Sequence, residues 1–238
     1  MYDHVTIRVS DLGASERFYS TVLDREPVGE AYREWDDFSI GRAGDGEAVT
    51  RHLHVAFAAS SHEEVDAFWR RGVDAGCESD GDPGLRPHYH PDYYGAFLLD
   101  PDGNSVESCT GFRKGGDAPI DHLWIGVGDV RESLRFWQAV APVHGLGISD
   151  MHEDHFHVYA AGRSSALVAD GRPPTENVHL AFPVPDDETV AEFHRVATAA
   201  GYRDNGGPGA RPEYHAGYVG AFVLDPDGNN VEAVNHNR

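Results

Sequence analysis

Lysine is nearly missing from this chain: Lys114 is the only one in 238 residues. Lysine and arginine together number 19 against 40 aspartates and glutamates, a formal net charge of -21. Nucleic acid and anionic membrane surfaces both call for clustered positive charge, so neither is expected as a partner. The acidity reads as a solvated, self-repelling surface. Cysteine is scarce too. Cys77 and Cys109 have no metal-like spacing and read as buried free thiols suited to a reducing compartment. No apolar run reaches membrane-spanning length, and the N-terminus opens on a strand pattern rather than an apolar signal core. The expected location is the cytoplasm. No Ser-His-Asp or Cys-His arrangement stands out. The segments GDPG (81–84) and GGPG (206–209) open no helix, which argues against a phosphate cradle. The twice-occurring DPDGN lacks the later ligands of a calcium loop and reads as a tight turn.

What is present is a repeat. GDPGLRPHYHPDYYGAFLLDPDGNSVES (81–108) is echoed by GGPGARPEYHAGYVGAFVLDPDGNNVEA (206–233). His54 and His179, His90 and His215, and Glu107 and Glu232 are each 125 residues apart. Upstream, His4 and His122, Asp11 and Asp129, and Phe18 and Phe136 are 118 apart, because the second copy carries seven extra residues before His179. A repeat of this length implies two copies of one folding unit, each near ordinary domain size. The expected domains are 1–111 and 120–238, joined by the polar, glycine-rich segment 112–119.

Within each copy the pattern runs strand, helix, strands, twice over. His4–Val9 alternates, Asp11 suits a helix N-cap, and Phe18, Tyr19, Val22 and Leu23 mark the apolar stripe of the helix after it. Trp35–Ile40 and His52–Ala59 read as strands, Glu63–Ala75 as a helix, and Gly95–Leu99 with Ser105–Cys109 as a closing hairpin. In the second copy the corresponding strands are His122–Val127 and Val178–Val184. The helix Glu188–Ala200 and the strands Phe222–Leu224 and Asn230–Val234 complete it. The architecture expected is α+β, curved mixed sheets flanked by helices.

His4, His54 and Glu107 each sit on a strand, as do His122, His179 and Glu232. Two histidines and one carboxylate on rigid strands can hold one side of a divalent metal and leave positions open. His52 shares the face of His54 but has Asn177 as its counterpart, so His54 is the chosen candidate. His90 and His215, both in P-x-Y-H, are candidate acid-base groups. Tyr93, Tyr94 and Tyr218 orient a ligand or pack. Arg86 and Arg211, in RP dipeptides, suit surface salt bridges or a substrate carboxylate.

With DHV at the first strand (DHL in the second copy), HVAF at the second unit (HLAF in the second copy) and DPDGN-x-VE at the end, each copy resembles the vicinal oxygen chelate superfamily. That group spans glyoxalase I, extradiol dioxygenases, fosfomycin-modifying enzymes and bleomycin-binding resistance proteins. The resemblance covers nearly the whole chain. It implies four βαβββ modules in two tandem domains, with metal ligands at His4, His54, Glu107, His122, His179 and Glu232. It also places His90 and His215 in a segment that positions substrate. The cofactor implied is one divalent metal per working site, Fe2+, Mn2+, Zn2+ or Ni2+. The function implied is that of a metal-dependent dioxygenase or glyoxalase-like lyase or isomerase. Its partner would be a small organic substrate with neighbouring oxygens, handled by a monomer or homodimer. The alternative is a non-catalytic binding protein of the bleomycin-resistance type. Two departures narrow the chemistry. Phe97 and Phe222 stand where the extradiol enzymes have a catalytic tyrosine, and the additional carboxylate or amide ligand of glyoxalase I has no clear counterpart. Two wirings stay open: each site within one copy, or an exchange in which His4 joins His179 and Glu232 while His122 joins His54 and Glu107.

Overall fold

The computed structural model describes residues 1–110 and 120–238, so the expected linker 112–119 lies outside the described residues. The chain divides into two compact units. Unit 1 comprises Met1–Val5 and Ile125–Arg238; unit 2 comprises Thr6–Trp124. The boundaries fall inside the strands β1 (His4–Val9) and β8 (Ile120–Gly126).

Unit 2 carries most of β1, then α1 (Leu12–Leu23), β2 (Tyr32–Trp35), β3 (Phe38–Arg42), β4 (Leu53–Ala58), α2 (His62–Asp74), β5 (Ser79–Leu85), β6 (Tyr94–Leu99), β7 (Ser105–Thr110) and the opening of β8. Asp11 caps α1 as expected, its side chain accepting from the Ala14 amide. One strand was expected over Trp35–Ile40; a hairpin stands there instead. Asp36 adopts φ 53° and turns the chain between β2 and β3, a left-handed conformation that a short polar side chain tolerates. The strands β5-β6-β7-β4 lie in that order with β8 next to β4, and β4 pairs parallel to β7.

Unit 1 carries α3 (Val130–Val140), β9 (Gly147–Ser149), β10 (His155–Ala160), β11 (Arg163–Val168), β12 (Val178–Pro183), α4 (Asp187–Ala199), β13 (Arg203–Ala210), β14 (Val219–Leu224) and β15 (Asn230–Asn235). Here β13-β14-β15-β12 repeat the order, with the first residues of β1 next to β12, and the Asp3 amide donates to the Ala181 carbonyl at 2.9 Å. The strands β9, β10 and β11 form an antiparallel meander. Asp129 caps α3 by accepting from the Arg131 and Glu132 amides.

Three modules read βαβββ. The one starting at β1 has two strands after its helix, plus a single bridge from Val28 to Glu34. The fold is thus the expected α+β arrangement of mixed sheets and few helices.

The glycine-rich segments after α2 and α4, given no strand by the sequence pattern, are the outer strands β5 and β13. Both have register shifts, at Gly81 and at Gly206. Pro83 and Pro208 are tolerated there because an outer strand needs fewer ladder donors.

Alternation along β4 explains why His54 faces the site. Leu53, Val55 and Phe57 are buried on the other face, while His54 is partly exposed. The same holds for His179 between the buried Val178 and Leu180. His52 is not part of β4. It takes φ 59°, just ahead of the strand, and its counterpart Asn177 takes φ 53°. Asparagine and histidine both tolerate the left-handed region, so the pair is explained by backbone geometry.

Candidate metal centres

The six candidate ligands gather into two groups, each within one unit. In unit 1, His4, His179 and Glu232 present ligand atoms within 4.8 Å of one another; in unit 2, His54, Glu107 and His122 do the same. This is the exchanged grouping. The first histidine of each copy stands with the second histidine and the glutamate of the other copy.

In unit 2 the tautomers follow from the hydrogen bonds. Ser105 donates its hydroxyl to Asp80 at 2.8 Å, so its oxygen accepts from His54 Nδ1 at 3.1 Å. His122 donates Nδ1–H to Asp121 at 2.9 Å. In the neutral imidazoles these bonds put the proton on Nδ1 and turn Nε2 toward Glu107 Oε2, at 3.0 Å from His54 and 3.6 Å from His122.

In unit 1, His4 donates Nδ1–H to Asp3 at 2.8 Å, and Asn230 donates its Nδ2–H to His179 Nδ1 at 2.6 Å. The Nε2 atoms of His4 and His179 stand 3.1 Å apart, and His179 Nε2 is 3.0 Å from Glu232 Oε2. His4 Nε2 is 3.9 Å from that same oxygen. Each set brings two imidazole Nε2 atoms and one carboxylate oxygen to one point, a donor set that fits a divalent metal once His179 gives up its Nε2 proton.

Both glutamates are held in place. Glu107 is 2% exposed and Glu232 1%, so each needs bonded oxygens. Tyr93 donates to Glu107 Oε1 at 2.8 Å, and Tyr218 to Glu232 Oε1 at 2.7 Å, which leaves Oε2 turned toward the histidines. Burial, followed by neighbours that include those carboxylates, pushes both phenols well up, so they stay protonated and donate. Gly95 and Gly220 make the room. A Cβ at Gly95 would collide with Glu107 Oε1, and one at Gly220 would stand 2.5 Å from Glu232 Oε1. Sequence reading left Asp3, Asp121 and these glycines without a role. The twice-occurring DH and GAF were the available signal.

The two surroundings differ. In unit 1, His236 donates Nε2–H to Asp3 at 2.6 Å, and its Nδ1 pairs with His215 Nε2 at 2.8 Å. A hydrogen-bonded chain thus runs His4–Asp3–His236–His215. Burial acts to raise the Asp3 carboxyl, but the bonds from His4 and His236 hold it below the usual carboxylate range. In unit 2, Asp121 stands near Cys109, whose Sγ lies within 4.8 Å of the Asp121 and His122 ligand atoms. Burial, then Glu107 and Asp121, pushes that thiol well up, so it stays a neutral S–H. His90 stands exposed in a turn, its Nδ1 accepting from the Asp92 amide at 3.3 Å. Phe97 packs 5.9 Å from the His54 ring and Phe222 6.1 Å from that of His179.

Each unit thus carries one two-histidine, one-carboxylate cluster in an α+β fold of repeated modules. The sequence model of the Glyoxalase/Bleomycin resistance protein/Dioxygenase superfamily matches residues 2–108 and 119–233, and the chain belongs to that superfamily. Among solved structures, glyoxalase I from Zea mays is similar over 99% of this chain and 92% of its own, at 17% identity and TM-score 0.68. A proposed dioxygenase from Bacillus subtilis is similar over 100% and 85%, at 14% identity and TM-score 0.67. No curated protein matches the chain. No helix among the described residues is long and apolar enough to cross a membrane.

Proposed function

We propose that the protein is a divalent-metal-dependent enzyme of the vicinal oxygen chelate type, with one centre at His4, His179 and Glu232 and a second at His54, His122 and Glu107. The observation that carries this is the twofold convergence of two Nε2 atoms and one Oε2 around one point. Three protein donors leave coordination positions open for two neighbouring oxygens of a small organic substrate. When bound, Fe2+, Mn2+, Zn2+ or Ni2+ would polarise those oxygens, the chemistry needed to stabilise an enolate or prepare a substrate for O2.

The protein's own residues do the rest. Asp3 and Asp121 hold their histidines in the Nδ1–H tautomer, and Tyr218 and Tyr93 hold the glutamates. We assign proton handling to His215 in unit 1 and to His90 in unit 2. His215 has the stronger support, because its hydrogen bonds lead through His236 and Asp3 to His4. Phe97 and Phe222 cannot transfer protons, which favours dicarbonyl or enolate chemistry, or an oxygenase that uses another acid, over tyrosine-assisted catechol cleavage.

The test is metal content of freshly purified protein, then Mn2+ titration followed by electron paramagnetic resonance. One ion per cluster is expected, with turnover of a member of a catechol and dicarbonyl panel under Fe2+ or Mn2+. Failure to bind any of the four metals would sink the proposal in favour of a sequestering protein.

A further inference from the structure

The segments G-x-P-G-x-R-P have no role in the centres as described so far, yet they occur in both copies. Their arginines were expected to form surface salt bridges. Neither does: among the described residues no carboxylate pairs with Arg86 or Arg211, although acids outnumber Lys and Arg by 40 to 19. Backbone carbonyls hold each side chain instead. Arg86 donates to the Asp82 carbonyl at 2.7 Å and Arg211 to the Gly207 carbonyl at 2.7 Å. The Arg86 guanidinium lies 5.4 Å from the Phe97 ring centre and that of Arg211 5.5 Å from Phe222. Those are the same phenyl rings that pack on the candidate ligands His54 and His179.

The glycines provide the space. A Cβ at Gly81 would come within 2.9 Å of Phe97, and one at Gly84 within 2.9 Å of the Arg86 guanidinium. In unit 1 a Cβ at Gly206 would come within 2.9 Å of Phe222, and one at Gly209 within 3.2 Å of the Arg211 guanidinium. The same strand distortion, the same glycines and the same cation recur in two copies.

A guanidinium has five donors; carbonyls take one from Nη1, at 3.4 Å to Leu85 and 3.3 Å to Ala210, and one from Nη2, which leaves three unengaged. Stacking on a phenyl ring fixes its plane. In a strongly anionic protein, such a cation without an acidic partner is a standing attraction for a ligand's oxyanion.

We propose that Arg86 and Arg211 each form an oxyanion site, next to the metal centre of the same unit, for a carboxylate or phosphate group on the substrate. This rests on the metal reading above and narrows the substrate class to anionic small molecules. Their two chelating oxygens would sit on the metal and a separate anionic group on the arginine.

The test begins with metal-free, 15N-labelled protein. The Arg86 and Arg211 Nε–H resonances are followed during titration with sodium acetate and with sodium phosphate, with sodium chloride at matched ionic strength as reference. Saturable shifts with acetate or phosphate are expected, and the tighter of the two tells which group the site takes. Arg86→Gln and Arg211→Gln should each abolish the response at its own site. The corresponding lysine variants should weaken it about tenfold, since they keep the charge but lose the planar fork. Shifts that merely track ionic strength, as with chloride, would overturn the proposal.

A second arm uses Mn2+-loaded protein. 3,4-Dihydroxyphenylacetate should bind about tenfold more tightly than catechol, and the double glutamine variant should erase the difference without changing Mn2+ affinity. Equal affinity for the two in the unsubstituted protein would overturn the link between arginine and metal centre. Loss of all Mn2+ binding by the unsubstituted protein would instead refute the metal reading, and the acetate and phosphate titrations would still decide the anion site by themselves.

Discussion

Single side chains decide how well each glutamate is prepared. Tyr218 and Glu232 form a buried pair in which the phenol occupies one carboxylate oxygen and turns the other toward the histidines. Tyr218→Phe keeps the ring and removes the donor, leaving Glu232 Oε1 buried without that bond. Mn2+ affinity of the unit 1 centre should fall about tenfold, the order seen when outer-shell hydrogen bonds to ligands are lost, while the unit 2 centre is unaffected. Calorimetric titration resolving the two centres checks this. At this scale the sequence was legible where a residue type recurs with its chemistry, as for His54 and His179. It was illegible where a side chain acts only through a neighbour in space. Tyr218 reads as a ligand-orienting or packing residue until the 2.7 Å bond to Glu232, 14 positions away, is known. His52 looked like a rival ligand by strand alternation, and only its φ of 59° removes it from the strand.

Between elements, the seam of unit 1 holds a buried imidazole. His144 lies between Phe182 of β12 and Phe193 of α4, ring centres 5.0 and 4.7 Å away, and neither ring nitrogen has a hydrogen-bond partner among the described residues. Burial drops its pKa from 6.5 to about 3. Above pH 6.5 it is neutral in folded and unfolded chains alike and adds no pH dependence. Between 6.5 and about 3 only the unfolded chain takes the proton, so stability falls as pH falls, by about 1.4 kcal/mol per pH unit. His144→Leu should remove that slope. It should also stabilise the protein at pH 7 by about 1 kcal/mol, because two buried nitrogens no longer lack partners. Urea midpoints at pH 7.5, 5.5 and 4.5 measure both effects. Helices and central strands were readable from apolar spacing, since burial on one face imposes a period on the sequence. The outer strands β5 and β13 were not. Glycine and proline dominate them, and their strand character comes from pairing with β6 and β14.

Candidate ligands of one copy stand in different clusters. His4 and His54 belong to one copy by repeat, yet His4 stands with His179, 175 residues away, and His54 with His122. Substitutions can test this grouping by additivity. His4→Ala should halve the Mn2+ bound per chain. Adding Glu232→Ala should cost nothing more, whereas adding Glu107→Ala should abolish the remaining half. The opposite pattern would restore the within-copy grouping.

The sequence by itself determined that there are two copies and four modules, because buried faces and tight turns repeat in the residues that make them. It also singled out two histidines and one glutamate per copy as candidate metal ligands. Which of them meet was left to the tertiary structure, since either grouping uses the same six residues on the same strands. Pairing of β1's first residues with β12, and of β8 with β4, brings each opening histidine to the other copy's histidine and glutamate. Strand pairing is a non-local contact, and no local pattern in the chain records it.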